Sequence, residues 1–153
     1  MATTENMKHL STKWWIPKRL SKKMIQRTFK PPEEWLRQAE YDLDTADAMF
    51  KTGRYIYTVF MCHLSIEKAL KGLYAKKFKK DPPKIHNLNY FCEKVEINLE
   101  KELEDFIDNL NDLSVPTRYP DELERLLKDY KGDVTKEVLE MTKELLSCLK
   151  QML

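Results

Sequence analysis

The sequence predicts an all-α protein folded as an antiparallel up-and-down bundle of four to five helices. Glycine is scarce, with 3 residues in 153 against 7 prolines, whereas turn-rich β proteins need many glycines. Charged residues make up 34% of the chain, which suits the outer faces of amphipathic helices. Apolar residues recur at steps of three and four over long stretches, and no segment alternates as a strand does.

Charge divides the chain into two regions. Residues 1–30 hold eight lysines and arginines and one acid, Glu5, which gives a net charge of +7, whereas residues 31–153 carry −5. The pair Pro31-Pro32 separates the two regions, because proline does not continue a helix that arrives from the N-terminal side. We therefore expect a basic N-terminal arm over residues 1–32 and a single helical domain over residues 33–153.

The first predicted helix covers residues 33–51. Its apolar residues lie on one face, and Asp42, Asp44 and Asp47 fall mainly off that face. The pair Thr52-Gly53 is expected to stop this helix, since glycine commonly follows a helix C-cap.

The second predicted helix, at about 54–79, is expected to be the most buried, because apolar residues cover much of its circumference. Two prolines at 82–83 follow its end. Residues 115–120 are expected to form a proline-containing connector. The sequence Lys131-Gly132-Asp133 is expected to end the short helix that precedes the last one. The remaining predicted helices cover residues 88–97, 99–114, 121–130 and 134–152.

Several classes of protein are excluded by what the sequence lacks. It has no apolar run long enough to span a membrane, no secretory signal, no glycine-rich phosphate loop and no nucleophile motif. The adjacent Cys62 and His63 point about 100° apart on a helix and cannot chelate together, so no metal or cofactor is expected. The three cysteines (Cys62, Cys92, Cys148) show no paired spacing and predict free thiols in a cytoplasmic protein.

Two histidines of the predicted domain are candidates for binding. His63 lies on the main apolar stripe of the second helix, where it is either a buried, hydrogen-bonded residue or a polar group facing a cleft or dimer seam. His86 lies in a loop just before a helix, where it either caps backbone groups or contacts a ligand. Lys68 and Lys71 of the second helix are further candidates for contacting phosphate.

The basic arm is a candidate RNA-binding segment. Cations and aromatic rings alternate in it, and proteins that bind single strands use this pairing. Alternatively, the arm is a tail without a specific role, or it docks on an acidic partner surface. The candidate residues are Trp14, Trp15, Lys18, Arg19, Lys22 and Lys23.

Four parts of the sequence resemble the HEPN domain family. The run over residues 34–43 is similar to the family's opening helix, and Gly53-Arg54-Tyr55 followed by residues 62–73 is similar to its second helix. Residues 82–88 resemble the family's proline–histidine loop, and residues 117–121 resemble its "A-R-Y-P-D" connector. The order and spacing of these parts match across residues 33–152.

This resemblance implies a helical bundle that forms a homodimer and accompanies a minimal nucleotidyltransferase in toxin–antitoxin or stress systems. Many family members are RNases that need no metal and use an arginine with a histidine five to seven residues later. This chain departs from that motif. Arg54 precedes His63 by nine residues, and no histidine follows Arg118.

The sequence therefore favours a non-catalytic HEPN partner protein that binds nucleotide. Arg118 can hold a phosphate through two hydrogen bonds and Tyr119 offers a stacking face, although both can equally anchor the connector to the bundle. Two other hypotheses stay open. One is an RNase toxin with a non-standard active site, and the other is an RNA-binding scaffold that uses the basic arm.

Overall fold

The computed structural model describes residues 29–115 and 123–153, and all regular structure in these ranges is helical. Residues 1–28 and 116–122 lie outside the described part of the chain. No strand occurs among the described residues, which confirms the predicted all-α class. The described helices are α1 (Pro32–Lys51), α2 (Tyr55–Phe78), α3 (Leu88–Val95), α4 (Lys101–Ser114), α5 (Leu123–Asp129) and α6 (Gly132–Met152).

The first two helices form an antiparallel hairpin. Acidic residues in the first turn of α1 favour the positive end of its dipole. The helix ends as predicted, because Gly53 takes a positive φ of 73° that turns the chain directly into α2. The hydroxyl of Ser65 donates a buried hydrogen bond of 2.7 Å to the carbonyl oxygen of Ala39, which joins the middle of the two helices.

The long helix α2 is the centre of the molecule. Fourteen of its 24 residues are buried, which confirms the prediction that it is the most enclosed helix, and it contacts each of the other described helices. The core lies where α2 meets the inward faces of α4 and α6, with α3 closing one end. Among the fully buried side chains there are Ile66, Leu70, Phe91, Leu110 and Leu145.

The last helix begins at Gly132, two residues before the predicted start. The predicted break before the last helix is confirmed, with the chain non-helical at Tyr130 and Lys131 and Gly132 as the first residue of α6. A Cβ atom at position 132 would lie 3.0 Å from the hydroxyl of Tyr55. The glycine thus allows a close approach between the start of α6 and the start of α2. That contact joins residues far apart in the sequence, so local reasoning could not find it.

All three cysteines are free thiols, as predicted. Burial raises the pKa of Cys62 to about 11, so this thiol stays protonated at neutral pH. Among the described helices, none is long and apolar enough to cross a membrane.

Candidate functional site

The structure describes four of the predicted binding residues, which are His63, Lys68, Lys71 and His86. Arg118 and Tyr119 fall within residues 116–122, outside the described part. The arm candidates Trp14, Trp15, Lys18, Arg19, Lys22 and Lys23 fall within residues 1–28, also outside it. The roles predicted for these eight residues stay predictions.

Three of the four described candidates meet at one buried carboxylate, that of Glu67 in α2. The ammonium of Lys71 lies 2.6 Å from Glu67 Oε1, and Nδ1 of His86 lies 3.0 Å from Glu67 Oε2. Nδ1 of His63 lies 3.7 Å from the same Oε2 atom. We call these residues (His63, Glu67, Lys71 and His86) the Glu67 cluster.

Helix geometry and one loop bring the cluster together. His63, Glu67 and Lys71 are spaced four residues apart, so they lie one above the other on a single face of α2. The loop between α2 and α3 then carries His86 back across that face. The side chains of Glu67 and His63 are 5% and 1% exposed, whereas that of His86 is 60% exposed. The cluster therefore reaches from the core to the surface.

The negative charge of Glu67 is compensated by groups of the same chain. Burial by itself would raise the pKa of the Glu67 carboxyl, but the hydrogen bonds and positive charges of Lys71 and His86 outweigh it and hold the pKa below its usual value of 4.5. The ammonium of Lys71 also lies 5.6 Å from the centroid of the Phe91 ring, on its face. Glu67 is thus ionised at neutral pH and is the counter-ion of a buried lysine.

His86 does not cap the helix that follows it. The cap of α3 is Asn87, whose side-chain oxygen accepts a hydrogen bond of 3.2 Å from the backbone N–H of Tyr90. The Nδ1 atom of His86 is held instead by Glu67, and Nε2 is the ring nitrogen left to meet a ligand from solvent. His63 is buried, as the first of its two interpretations predicted.

Lys68 belongs to a different contact. Its ammonium lies 2.6 Å from Oδ2 of Asp42 in α1, and the two side chains are 25% and 10% exposed. The prediction that Asp42 falls off the buried face of its helix is wrong, because this aspartate is only 7% exposed. The four described candidates therefore form two separate contacts and do not converge on one phosphate site.

Sequence reasoning missed the two carboxylates that organise these contacts. The signal for Glu67 was present, since a glutamate midway between His63 and Lys71 on a mostly apolar helix has to be buried with them. The signal for Asp42 was absent, because nothing in the sequence shows that Lys68 of the next helix faces it. No group of three or more histidine, cysteine or acidic residues within the described ranges could hold a metal ion.

A separate groove of about 670 Å³ lies at the N-terminal end of α2, and we call it the tyrosine groove. Tyr55 and Tyr57 from the start of α2 line one side, and Leu123 and Leu127 of α5 line the other. Tyr57 is 58% exposed and Arg54 stands at the edge of the groove. Leu123, the first described residue after the connector, lines this groove.

This fold and these motifs define the class of protein. The family model of the HEPN domain matches residues 32–152, and the chain therefore belongs to the HEPN domain family.

Two solved structures share this architecture. TT1696 from Thermus thermophilus has a TM-score of 0.71 and 23% identity, and the match covers 80% of this chain and 98% of that one. ST0689, described as an archaeal HEPN homologue, has a TM-score of 0.65 and 25% identity, with 82% of this chain and all of that chain covered. No curated protein matches this chain. The predicted HEPN-like bundle is thereby confirmed.

Proposed function

We propose that this protein is a non-catalytic HEPN partner protein, which acts as a homodimer with a minimal nucleotidyltransferase in a cytoplasmic toxin–antitoxin or stress system. The observation that carries the proposal is the internal pairing of the candidate cations. Lys68 and Lys71 each lie 2.6 Å from a carboxylate of the same chain. A lysine held in this way stabilises the bundle and is not available to a substrate phosphate.

The histidines support the same proposal. Cleavage of RNA by attack of the 2′-hydroxyl needs a group that moves a proton near neutral pH, and histidine is the usual one. In the family's RNase motif this histidine follows the arginine closely, whereas no histidine follows Arg118 in this chain. His63 is buried against Glu67 and lacks access to solvent.

The nucleotide-binding part of the proposal rests on the tyrosine groove. Its volume lies within the range of small-molecule sites, and its exposed tyrosine ring and edge arginine suit a base and a phosphate. Leu123, which follows the segment that carries Arg118 and Tyr119, lines this groove. We therefore propose that Arg118 and Tyr119 complete this site together with Arg54 and Tyr57.

Native mass spectrometry of the full chain, purified from its own host without denaturation, tests the partner proposal. We expect a complex that contains two copies of this chain and a nucleotidyltransferase identified by peptide sequencing. A chain that is recovered only as a bare homodimer or monomer, under conditions that preserve other host complexes, would contradict it.

Equilibrium dialysis with ATP and with GTP tests the nucleotide proposal separately. We expect binding that is lost in Arg118→Ala and weakened in Tyr57→Ala. The matched control is Arg125→Ala, which removes an exposed arginine of the neighbouring helix that pairs with Asp129. Binding that is equal in the wild-type chain and Arg118→Ala, or no binding at millimolar nucleotide, would contradict the proposal.

One observation favours the RNase toxin as a second candidate. The buried carboxylate of Glu67 holds Nδ1 of His86, while the histidine ring is largely exposed. A carboxylate that orients a histidine in this way is the arrangement of a general base. An RNA-cleavage assay with the wild-type chain, His86→Ala and His9→Ala tests this candidate. Cleavage that is lost only in His86→Ala would support it, and intact RNA at high concentrations of wild-type protein would contradict it.

A further inference from the structure

An acidic groove with an apolar floor runs between α4 and α6. Its volume is about 400 Å³, and no lysine or arginine occurs among the described residues that line it. Val134 in its floor is 45% exposed, so its side chain is accessible from the groove. The floor of the groove contains Phe106, Val134 and Met141, and its rim contains Glu102, Asp105 and Glu137.

The helix on one side of this groove carries a strong negative charge. α4 contains five carboxylates and one basic residue, Lys101, which lies 2.7 Å from Asp105 on the exposed surface. Carboxylates line the groove beside its apolar floor, so the groove favours an occupant that combines positive charge with apolar or aromatic groups.

The N-terminal arm of the same chain has this composition. Residues 1–30 carry a net charge of +7 and include the adjacent rings of Trp14 and Trp15. We propose that the arm docks in the acidic groove of its own bundle, with its tryptophans over the apolar floor and its lysines and arginines against the carboxylates of the rim. The other strongly basic stretch, residues 68–92 with a net charge of +6, is part of the bundle itself, in α2, the following loop and the start of α3.

The arm starts at the correct end of the bundle and is long enough. The backbone N–H of Lys30 donates a hydrogen bond of 2.9 Å to Asp81, which places the arm's exit at the end where α1 begins and α2 finishes. α4 begins at this same end, since Lys77 near the end of α2 pairs with Glu96 shortly before α4. Fourteen extended residues, the separation of Trp15 from Phe29, span about 45 Å, and α4 is only about 21 Å long.

Tryptophan fluorescence tests the proposal in the full chain. The substitution Trp35→Phe leaves Trp14 and Trp15 as the only tryptophans. We expect acrylamide to quench them less than it quenches a free peptide of residues 1–30. In about 0.5 M NaCl, where the screening length falls to about 4 Å, quenching should rise towards the value of the peptide.

Two charge-reversal variants show whether the groove is responsible. The variant Glu102→Lys/Asp105→Lys/Glu137→Lys should bring quenching to the level of the free peptide at low salt. The variant Asp44→Lys/Glu93→Lys/Glu124→Lys makes the same change in net charge at exposed positions of other helices and should leave the protection intact. Quenching equal to that of the peptide in the unreversed chain, or equal effects of the two variants, would overturn the proposal.

Cross-linking in the unsubstituted chain identifies the occupant. A zero-length reagent that joins lysines to carboxylates should link arm lysines to Glu102, Asp105 or Glu137. A mixture of ¹⁴N- and ¹⁵N-labelled protein should give these links within single copies. Links between differently labelled copies would overturn docking within one chain and make the groove an interface between two copies. If added RNA removes both the protection of the tryptophans and the cross-links to the rim, RNA and the groove compete for the arm.

Discussion

Two lysine–carboxylate pairs with the same spacing lie in opposite environments. In α2 the Lys71 ammonium lies 2.6 Å from Glu67, and the side chains are 10% and 5% exposed. In α4 the Lys101 ammonium lies 2.7 Å from Asp105, and the side chains are 79% and 56% exposed. Both pairs join residues four apart in a helix, although the acid precedes the lysine in α2 and follows it in α4.

Burial decides how much each pair contributes to the protein. Water stabilises the two charges of the exposed pair almost as well as the charges stabilise each other. Loss of this pair therefore changes the free energy of unfolding little. The buried pair has no such alternative, because removing one partner leaves the other as an uncompensated charge in the core. The comparison teaches that the Glu67 cluster is a structural requirement of the bundle, whereas the charges of α4 are available to an external partner.

The largest expected effect is that of Glu67→Leu. This change leaves the buried ammonium of Lys71 without its counter-ion, and we expect the free energy of unfolding to fall by about 3–5 kcal/mol. Urea unfolding at pH 7, followed by circular dichroism, measures the change. The double variant Glu67→Leu/Lys71→Met should recover most of the loss, since neither charge is then buried. If the free energy of unfolding of Glu67→Leu falls by less than about 1 kcal/mol, the ammonium of Lys71 is solvated without its partner, and the prediction is contradicted.

An intermediate effect is expected for Asp42→Ala. The side chain of Lys68 is 25% exposed and can regain water when its partner is removed, so the cost is that of a partly buried ion pair, about 1–3 kcal/mol, between the values for exposed and fully buried pairs. The same unfolding experiment measures it. The matched control is Asp44→Ala, an exposed aspartate of the same helix, which should change stability by less than about 0.5 kcal/mol. Equal effects of the two substitutions would argue against the Asp42–Lys68 contact.

A smaller effect should appear as a dependence on pH. The pKa of Glu67 is lower in the folded chain than its usual value of 4.5, so its contribution to stability is present above that pH and is lost as the pH falls through the folded-state pKa. The wild-type chain should therefore lose its advantage over Glu67→Gln between roughly pH 5 and pH 3. Unfolding curves of both proteins across this range measure the difference. A constant difference would show that the carboxyl does not titrate as described.

The smallest effect is expected for Asp105→Ala. Both members of the Lys101–Asp105 pair are solvated, and we expect no measurable change in the urea midpoint at either low or high salt. The same substitution should still increase the acrylamide quenching of Trp14 and Trp15 at low salt in the Trp35→Phe chain. A clear loss of stability would remove the distinction between the two pairs.

Most of the helical structure could be predicted because its signals are local. The periodicity of apolar residues located every described helix, and Gly53 marked the end of α1. The predicted break near Lys131-Gly132 was confirmed, whereas the close approach of Gly132 to Tyr55, which is distant in the sequence, was not predicted. The candidate site followed the same division. Burial was one of two interpretations that the position of His63 on the apolar stripe allowed, whereas the pairing of Lys68 with Asp42 depends on how two helices face each other.

The sequence by itself determined the helices, the burial of α2, the charge contrast between the arm and the rest, and the resemblance to the HEPN family. These follow from spacing along the chain, since a helix places residues three and four apart on one face whatever surrounds it. Only the tertiary structure decided which charges are neutralised. The energy of a lysine–carboxylate pair depends on its distance and its burial, and both arise when helices pack. The apolar surroundings of Glu67 in the sequence pointed to its burial, but only the folded protein shows that Lys71 and His86 compensate its charge while Lys101 and Asp105 stay in solvent.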